Sequence, residues 1–185
     1  TTGKIGIARS SFSDSNYFRT SDISAFNTPL WAMSGWFYNT GAYADYIFGL
    51  SPSEGITPYR GLYMLSNSTL QGIVNQSTGC ESLGAVSLNT WHHFFMGVRA
   101  TSGSSEVRLY IDGVVQTSYA GTSTLSGSSD FTIGTAVRSS NYGWRGHLDD
   151  LAYWDLTGTP YTWVQLEEYI KRLYAGGVGK GFSLI

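Results

Sequence analysis

Short apolar runs recur along most of the chain, and turn-forming Gly, Ser, Asn and Asp residues separate them. In many runs apolar and polar residues alternate, which places successive side chains on opposite faces of a β-strand. The pattern predicts ten strands, at residues 4–8, 31–38, 46–50, 61–65, 70–75, 91–99, 107–111, 114–119, 131–134 and 146–154. The predicted class is therefore all-β.

One tight hairpin is the clearest local prediction. Val107, Leu109 and Ile111 alternate with residues of the opposite face and lead directly into the dipeptide Asp112-Gly113. Both residues of this dipeptide tolerate the positive φ angles of a type I′ turn, which matches the twist of two antiparallel strands. We expect strands on both sides of this turn, with the three apolar side chains in the core.

A short helix is predicted near the end of the chain. Thr162 is expected to cap it, because Gln165 follows at the spacing of a capping box. Gly176 and Gly177 are expected to end it. Its apolar stripe consists of Leu166, Tyr169, Ile170, Leu173 and Tyr174. We expect this stripe to cover a sheet edge or one end of the core.

The number of strands limits the architecture. The length of 185 residues, with 42% hydrophobic and 13% charged residues, fits one folded domain spanning residues 1–185. Ten strands in one open sheet would expose long edges and leave half of the apolar side chains in water. A two-sheet antiparallel sandwich or jelly roll is the expected fold.

Charge and cysteine content exclude several classes of partner. The net charge of −2 provides no basic surface for nucleic acid, and no apolar run is long enough to cross a membrane. The first residues lack the apolar segment of a signal peptide, so none is expected in the chain as given. Cys80 is the only cysteine and cannot form an intramolecular disulfide; we expect it to be a buried filler.

Four segments, taken in order, carry a family resemblance. They are Gly-Lys-Ile-Gly-Ile-Ala at 3–8, Ser-Gly-Trp-Phe at 34–37, Trp-His-His at 91–93 leading to Leu-Tyr-Ile-Asp-Gly at 109–113, and Phe-Thr-Ile-Gly at 131–134 leading to Gly-His-Leu-Asp-Asp-Leu at 146–151. The series resembles the laminin G-like, concanavalin A-like lectin and glucanase superfamily, in its bacterial or phage type. The resemblance implies a concanavalin A-like jelly-roll sandwich with one short C-terminal helix. That fold hosts lectins, protein-binding modules, glycosidases and structural subunits, so it does not fix the function.

Catalysis is not expected. A glycosidase of this fold would carry paired carboxylates on one strand face, and no Glu-x-Asp-x-Glu run is present. The adjacent residues Asp149 and Asp150 lie on a strand and point to opposite faces. A Ser-His-Asp triad is not expected either, because no Gly-x-Ser-x-Gly turn presents a nucleophile.

Metal binding is considered at two places. His92 and His93 are neighbours on a strand, so their rings face opposite sides and we expect structural roles instead of a zinc site. Calcium stays open, with Asp149, Asp150 and Asp45 as its candidate ligands, although no loop carries a dense acidic cluster. We expect no other cofactor.

Aromatic residues mixed with polar ones are the candidates for ligand binding, because flat rings stack on the C–H faces of sugars while polar groups bind hydroxyls. The candidate residues are Tyr43, Asp45, Tyr59, Arg60, Asn141, Tyr142 and Trp144. The alternative for these residues is structural: Trp144 opens a strand and packs inward, and the loop tyrosines cover the rim of the sandwich.

The expected function is non-enzymatic recognition or adhesion on an external assembly such as a phage virion surface or fibre. The module would bind cell-surface glycan through its rim loops, outside the cell or on the virion surface, and a homotrimer would add avidity. The alternative is a decoration subunit that contacts phage coat or fibre proteins and has no sugar ligand. A glycoside hydrolase is the third hypothesis.

Overall fold

The computed structural model describes residues 9–10, 17–20, 28, 30–52, 60–74, 77–101, 104–121, 129–135, 142–158 and 161–175. Within these residues the chain forms twelve strands and one helix. They are β1 (Arg9–Ser10), β2 (Phe18–Thr20), β3 (Trp31–Asn39), β4 (Asp45–Pro52), β5 (Arg60–Met64), β6 (Leu70–Val74), β7 (Ser77–Glu81), β8 (Trp91–Thr101), β9 (Ser104–Ile111), β10 (Val114–Gly121), β11 (Ser129–Ile133), β12 (Gly146–Asp155) and α1 (Trp163–Ala175).

The strands form two six-stranded sheets. The first sheet has the order β1-β12-β3-β8-β9-β10, and the second has the order β2-β11-β4-β5-β6-β7. Every ladder between neighbouring strands is antiparallel. The expected all-β two-sheet sandwich is confirmed, because both sheets contribute side chains to one shared core.

Local alternation located most strands correctly. Nine of the ten predicted strands are present, with ends that differ by up to three residues. The remaining prediction, at 4–8, lies outside the described residues. Sequence reasoning missed β1, β2 and β7, because the first two are only two and three residues long and β7 is rich in Ser, Thr and Gly.

The core between the sheets is built mostly by alternate residues of each strand, with a change of parity where β4 and β12 shift register. Phe37, Phe94 and Leu109 come from the first sheet, and Phe48 and Leu62 come from the second. All five side chains have no measurable exposure to solvent. Large aromatic side chains therefore occupy the space that holds the two sheets together.

The predicted hairpin is confirmed between β9 and β10. Asp112 and Gly113 have φ angles of 52° and 76°, as a type I′ turn requires, and Val114 pairs with Ile111. Positive φ at a non-glycine residue is tolerated by aspartate better than by most side chains, which explains its place here.

The helix α1 packs on the outer face of the first sheet, so the expectation that it covers a sheet edge or an end of the core is wrong. Trp163, Leu166 and Ile170 are buried in a second apolar cluster together with Phe95 and Tyr110 of the sheet. These two strand residues point away from the main core because their neighbours in sequence point into it. Within the described residues, no helix has the length and apolar character needed to cross a membrane.

Polar contacts fix the position of α1 on the sheet. The Trp163 indole N–H donates to Glu106 Oε2 over 2.6 Å, and Arg108 donates to both Glu106 and Glu167 over 2.6 and 2.9 Å. The Tyr110 hydroxyl also donates to Glu167, over 2.8 Å. This network, together with the apolar stripe, covers one outer face of the sandwich.

The capping box at the start of α1 is confirmed. The Gln165 backbone N–H donates to the Thr162 hydroxyl over 3.3 Å. In return, the Thr162 backbone N–H donates to Gln165 Oε1 over 2.9 Å. Two backbone donors that the first turn would leave unpaired are thus satisfied.

Candidate functional site

A cluster of tyrosines lies on the outer face of the second sheet, the sheet that α1 does not cover. Ile47 and Leu62 are fully buried in the core, so their neighbours Tyr46 and Tyr63 point outward. Tyr142, from the segment that precedes β12, packs against both rings. We call Tyr46, Tyr63 and Tyr142 the tyrosine cluster.

The rings of the tyrosine cluster are in mutual contact. The ring centroids of Tyr46 and Tyr63 are 4.5 Å apart, and their strands pair these two residues directly. Tyr142 meets both rings edge to face, at centroid distances of 6.1 and 6.3 Å. Tyr46 is buried, whereas Tyr63 and Tyr142 are only half-buried, so aromatic surface remains open to solvent.

The phenol groups of Tyr46 and Tyr63 are protonated at ordinary pH. Burial raises the pKa of Tyr46, and the neighbouring Tyr63 and Tyr142 raise it further. Burial also raises the pKa of Tyr63, with added contributions from Tyr142 and from the Asp45 carboxylate. These hydroxyls can therefore both donate and accept hydrogen bonds.

A second group of residues lies beside the tyrosine cluster. We call Arg145, Asp45 and Tyr43 the arginine group. Arg145 donates to Asp45 through its backbone N–H and its Nε, both over 3.1 Å, and through a terminal guanidinium nitrogen over 2.8 Å. The guanidinium carbon of Arg145 lies 3.8 Å from the ring centroid of Tyr43. Asp45 is 1% exposed. The arginine charge is thus balanced by a buried carboxylate and held against an aromatic face.

Backbone hydrogen bonds hold residues 142–145 in place. The Tyr46 N–H donates to the Tyr142 carbonyl over 3.2 Å, and the Trp144 N–H donates to the Gly134 carbonyl over 2.8 Å. The Thr40 N–H reaches the Arg145 carbonyl over 3.4 Å. The segment is therefore tied to the residues around it, and the side chains of Tyr142 and Arg145 have fixed positions.

Two residues expected to bind ligand belong to the core instead. Trp144 has no exposed surface and packs edge to face on Phe37, with ring centroids 6.0 Å apart, so its structural alternative is correct. Arg60 is 1% exposed, donates to the Thr28 carbonyl, and places its guanidinium 5.2 Å from the ring centroid of Trp31. Burial lowers the pKa of Arg60 to about 10. Neither side chain is exposed to solvent, so neither can contact a ligand at the surface.

The other predicted site residues divide into two groups. Tyr43 and Tyr142 lie at the surface described above with the buried Asp45 beside them, whereas Tyr59 and Asn141 lie outside the described residues. The seven candidate residues do not include Tyr46, Tyr63 or Arg145. The parity of Tyr63 relative to Leu62 would have placed it on the outer face, but nothing local pairs Arg145 with a residue 100 positions away.

The candidate calcium ligands do not come together. Asp45 is held by Arg145, while the Asp150 backbone N–H donates to Asp149 Oδ1 over 3.0 Å. Asp150 has a φ of 48° in the irregular part of β12, and burial together with the Asp149 charge raises its pKa. Among the described residues, no group of three or more His, Cys, Asp or Glu side chains is arranged to hold a metal ion.

The two antiparallel sheets and the core between them define a β-sandwich of the concanavalin A-like type. The model of the concanavalin A-like lectin/glucanases superfamily, in its laminin G group, matches residues 12–161. The chain belongs to this superfamily. The comparison with curated proteins gave no match.

Solved structures with the same fold include proteins that act on or bind sugars. Domain 4 of an extracellular arabinanase from Geobacillus stearothermophilus, solved with arabinotriose, is 17% identical, with 91% of this chain and 78% of that chain covered at a TM-score of 0.64. A SAP-like pentraxin from Limulus polyphemus is also 17% identical, covering 80% and 70% at a TM-score of 0.60. A Trypanosoma rangeli sialidase is 12% identical, and the match covers 92% of this chain but 28% of the sialidase at a TM-score of 0.66. At these identities the similarity concerns the fold.

Proposed function

We propose that the chain is a carbohydrate-recognition module that binds a glycan at the tyrosine cluster and does not cleave it. The observation that carries this proposal is the group of three contacting tyrosines on the sheet face that α1 leaves uncovered. Half-buried aromatic faces bind the C–H surfaces of sugar rings, and neutral phenol hydroxyls bind their hydroxyl groups. The arabinotriose bound to the arabinanase domain supports a sugar as the ligand class.

The arginine group supports binding without hydrolysis. Glycoside cleavage requires two carboxyl groups, one of which takes up and releases a proton. The Asp45 carboxylate beside the tyrosine cluster is occupied by three hydrogen bonds from Arg145. Its role is to hold the arginine side chain against the Tyr43 ring, beside the proposed sugar site.

The proposal also covers the location of the protein and its partners. A glycan-binding surface is useful where glycans are exposed, so we propose display outside the cell or on a virion. The alternative, a decoration subunit that contacts coat proteins, predicts a different use of the same sandwich. It requires no ligand at the tyrosine cluster.

A glycan array with purified protein tests the proposal. We expect binding to a defined set of sugars, arabino-oligosaccharides included among the probes, and at least about tenfold weaker binding for Tyr63→Ala and for Tyr142→Ala. Tyr119→Ala is the matched control, because Tyr119 is 43% exposed but lies on β10 of the other sheet. Repeating the array with calcium and with a chelator tests the calcium prediction.

Two outcomes would contradict the proposal. The first is no binding across the array by folded, monodisperse protein, which favours the decoration subunit. The second is binding that falls equally in Tyr119→Ala and in the two cluster variants, because the ligand would then lie elsewhere.

A further inference from the structure

A serine, a histidine and an aspartate are linked by two hydrogen bonds near the start of β8. The Ser87 hydroxyl oxygen is 2.8 Å from His92 Nε2, and His92 Nδ1 is 2.6 Å from Asp112 Oδ2. The sequence predicted no such triad, because it contains no Gly-x-Ser-x-Gly turn. The structure forms the group from a loop, a strand and a hairpin turn instead.

The charges of this group suit a proton transfer. Burial alone would raise the pKa of Asp112, but the hydrogen bonds from His92 and from the His93 backbone N–H outweigh it, and the pKa is lowered. Asp112 is therefore an anion that accepts the Nδ1 proton of His92. The second ring nitrogen, Nε2, is then the acceptor for the Ser87 hydroxyl proton.

The base is rigidly positioned. Asp112 occupies the left-handed position of the hairpin turn, and its Oδ1 accepts the His93 backbone N–H over 2.9 Å. His92 is 9% exposed, with its ring centroid 5.6 Å from that of Phe37 in the core. Ser87, in contrast, is exposed to solvent. An exposed nucleophile beside a buried and oriented base is the arrangement that nucleophilic catalysis requires.

A cavity adjoins the hydroxyl group. It has a volume of about 320 Å³, and Ser87 and His92 form part of its wall. The remaining wall comes from Ser82, Gly84, Ala85, Val86, Ile111 and Gln116. The backbone N–H groups of Gly84 and Ala85 donate to none of the described residues, so this loop keeps donors for the oxygen of a bound ester. The small side chains leave room for a short acyl group.

We propose that Ser87 is the nucleophile of an acyl-transfer site that acts on esters of short carboxylic acids. Ser87 Oγ forms a bond to the ester carbonyl carbon while His92 Nε2 takes its proton. The carbon–oxygen bond to the alcohol then breaks, and His92 gives the proton to the departing alkoxide. A water molecule attacks the acyl-serine in the same way, which releases the carboxylic acid and restores the hydroxyl group.

Labelling with a fluorophosphonate tests the nucleophile directly. Attack by Ser87 forms an oxygen–phosphorus bond and expels fluoride, so the intact mass rises by one phosphonyl group, and peptide mapping locates it. We expect one adduct, at Ser87, in the folded protein and none in Ser87→Ala. Ser66→Ala is the matched control, because Ser66 is also an exposed loop serine, and it should label fully.

Hydrolysis of p-nitrophenyl acetate tests whether the site is catalytic. We expect the rate to fall by at least about a hundredfold in Ser87→Ala. Asp112 is a positioning residue, so Asp112→Asn should lower the rate and shift the pH profile, which a purely structural role would not do. Circular dichroism checks that each variant is folded.

The inference is independent of sugar binding, and the results separate the two. Folded wild-type protein that gives no adduct at Ser87, or an ester hydrolysis rate that Ser87→Ala leaves unchanged, would overturn it. Neither result would alter binding on the glycan array. Conversely, a silent array together with Ser87 labelling would leave this site standing and reject the tyrosine cluster as a sugar site.

Discussion

The buried histidine His93 should make the stability of this protein depend on pH. It is 2% exposed, on the outer face of the first sheet, with Trp36 at a ring centroid distance of 5.1 Å and Tyr174 of α1 at 6.3 Å. Burial lowers the pKa of His93 to about 4, although the nearby Asp112 charge acts in the opposite direction. In the folded protein this side chain is therefore neutral throughout the physiological range.

The sign of the effect follows from proton binding. In the unfolded chain His93 returns to its ordinary pKa of 6.5, so between pH 6.5 and about 4 the unfolded state holds more protons than the folded state. Stability is complete above pH 6.5 and falls as the pH drops through this window. Linkage gives a loss of about 2 kcal/mol between pH 7 and pH 5, and about 3 kcal/mol by pH 4.

Urea denaturation followed by tryptophan fluorescence, at several pH values between 7.5 and 4.5, measures this loss. His93→Gln should flatten the pH dependence of the unfolding free energy, whatever its own effect on stability at pH 7. Equal pH dependences for wild type and His93→Gln would refute the reasoning, because the buried neutral imidazole would then carry none of the linkage.

Three further predictions test packing and burial. A Cβ at Gly146 would overlap a carbonyl oxygen of β3, so Gly146→Ala should destabilise by about 1–3 kcal/mol in urea denaturation, while Gly84→Ala, with open space around it, should not. Burial raises the pKa of Cys80 to about 12, so a thiol reagent should react with it only after unfolding, and rapid reaction of native protein would contradict this. Trp163→Phe removes the hydrogen bond to Glu106 and should lower the melting temperature by an amount that corresponds to about 1–2 kcal/mol; no change would argue against this contact.

Local alternation predicted the strands because that information lies within each strand. The same alternation also determines the directions of Arg60 and Tyr63. Arg60 has the same parity as Leu62 and Met64, both buried in the core, so alternation already placed the arginine inward. Tyr63, with the opposite parity, belonged on the outer face. The error on Arg60 came from beginning the predicted strand at residue 61, which left Arg60 in the loop before it, whereas β5 begins at Arg60.

The position of the helix could not be obtained in this way. Capping residues and an apolar stripe established that α1 exists, but its location depends on partners that lie far away in the chain. Glu106 contacts Trp163, and Arg108 contacts Glu167, across 57 and 59 positions. A stripe of apolar residues fits an edge, an end or a face equally well, and only the residues opposite it decide between them.

The tyrosine cluster shows why sites are harder to predict than strands in an antiparallel sandwich. Tyr46 and Tyr63 meet because β4 and β5 pair in one register, and a shift of one residue would turn every side chain of a strand to the other face. The connection between these strands, residues 53–59, is seven residues long, so it is too long for a two-residue turn whose type would fix the register from sequence. The third ring, Tyr142, arrives from a segment about 80 to 100 positions further along, tied down by its carbonyl contact with the Tyr46 N–H. A surface assembled from these segments becomes visible only when the sheet is complete.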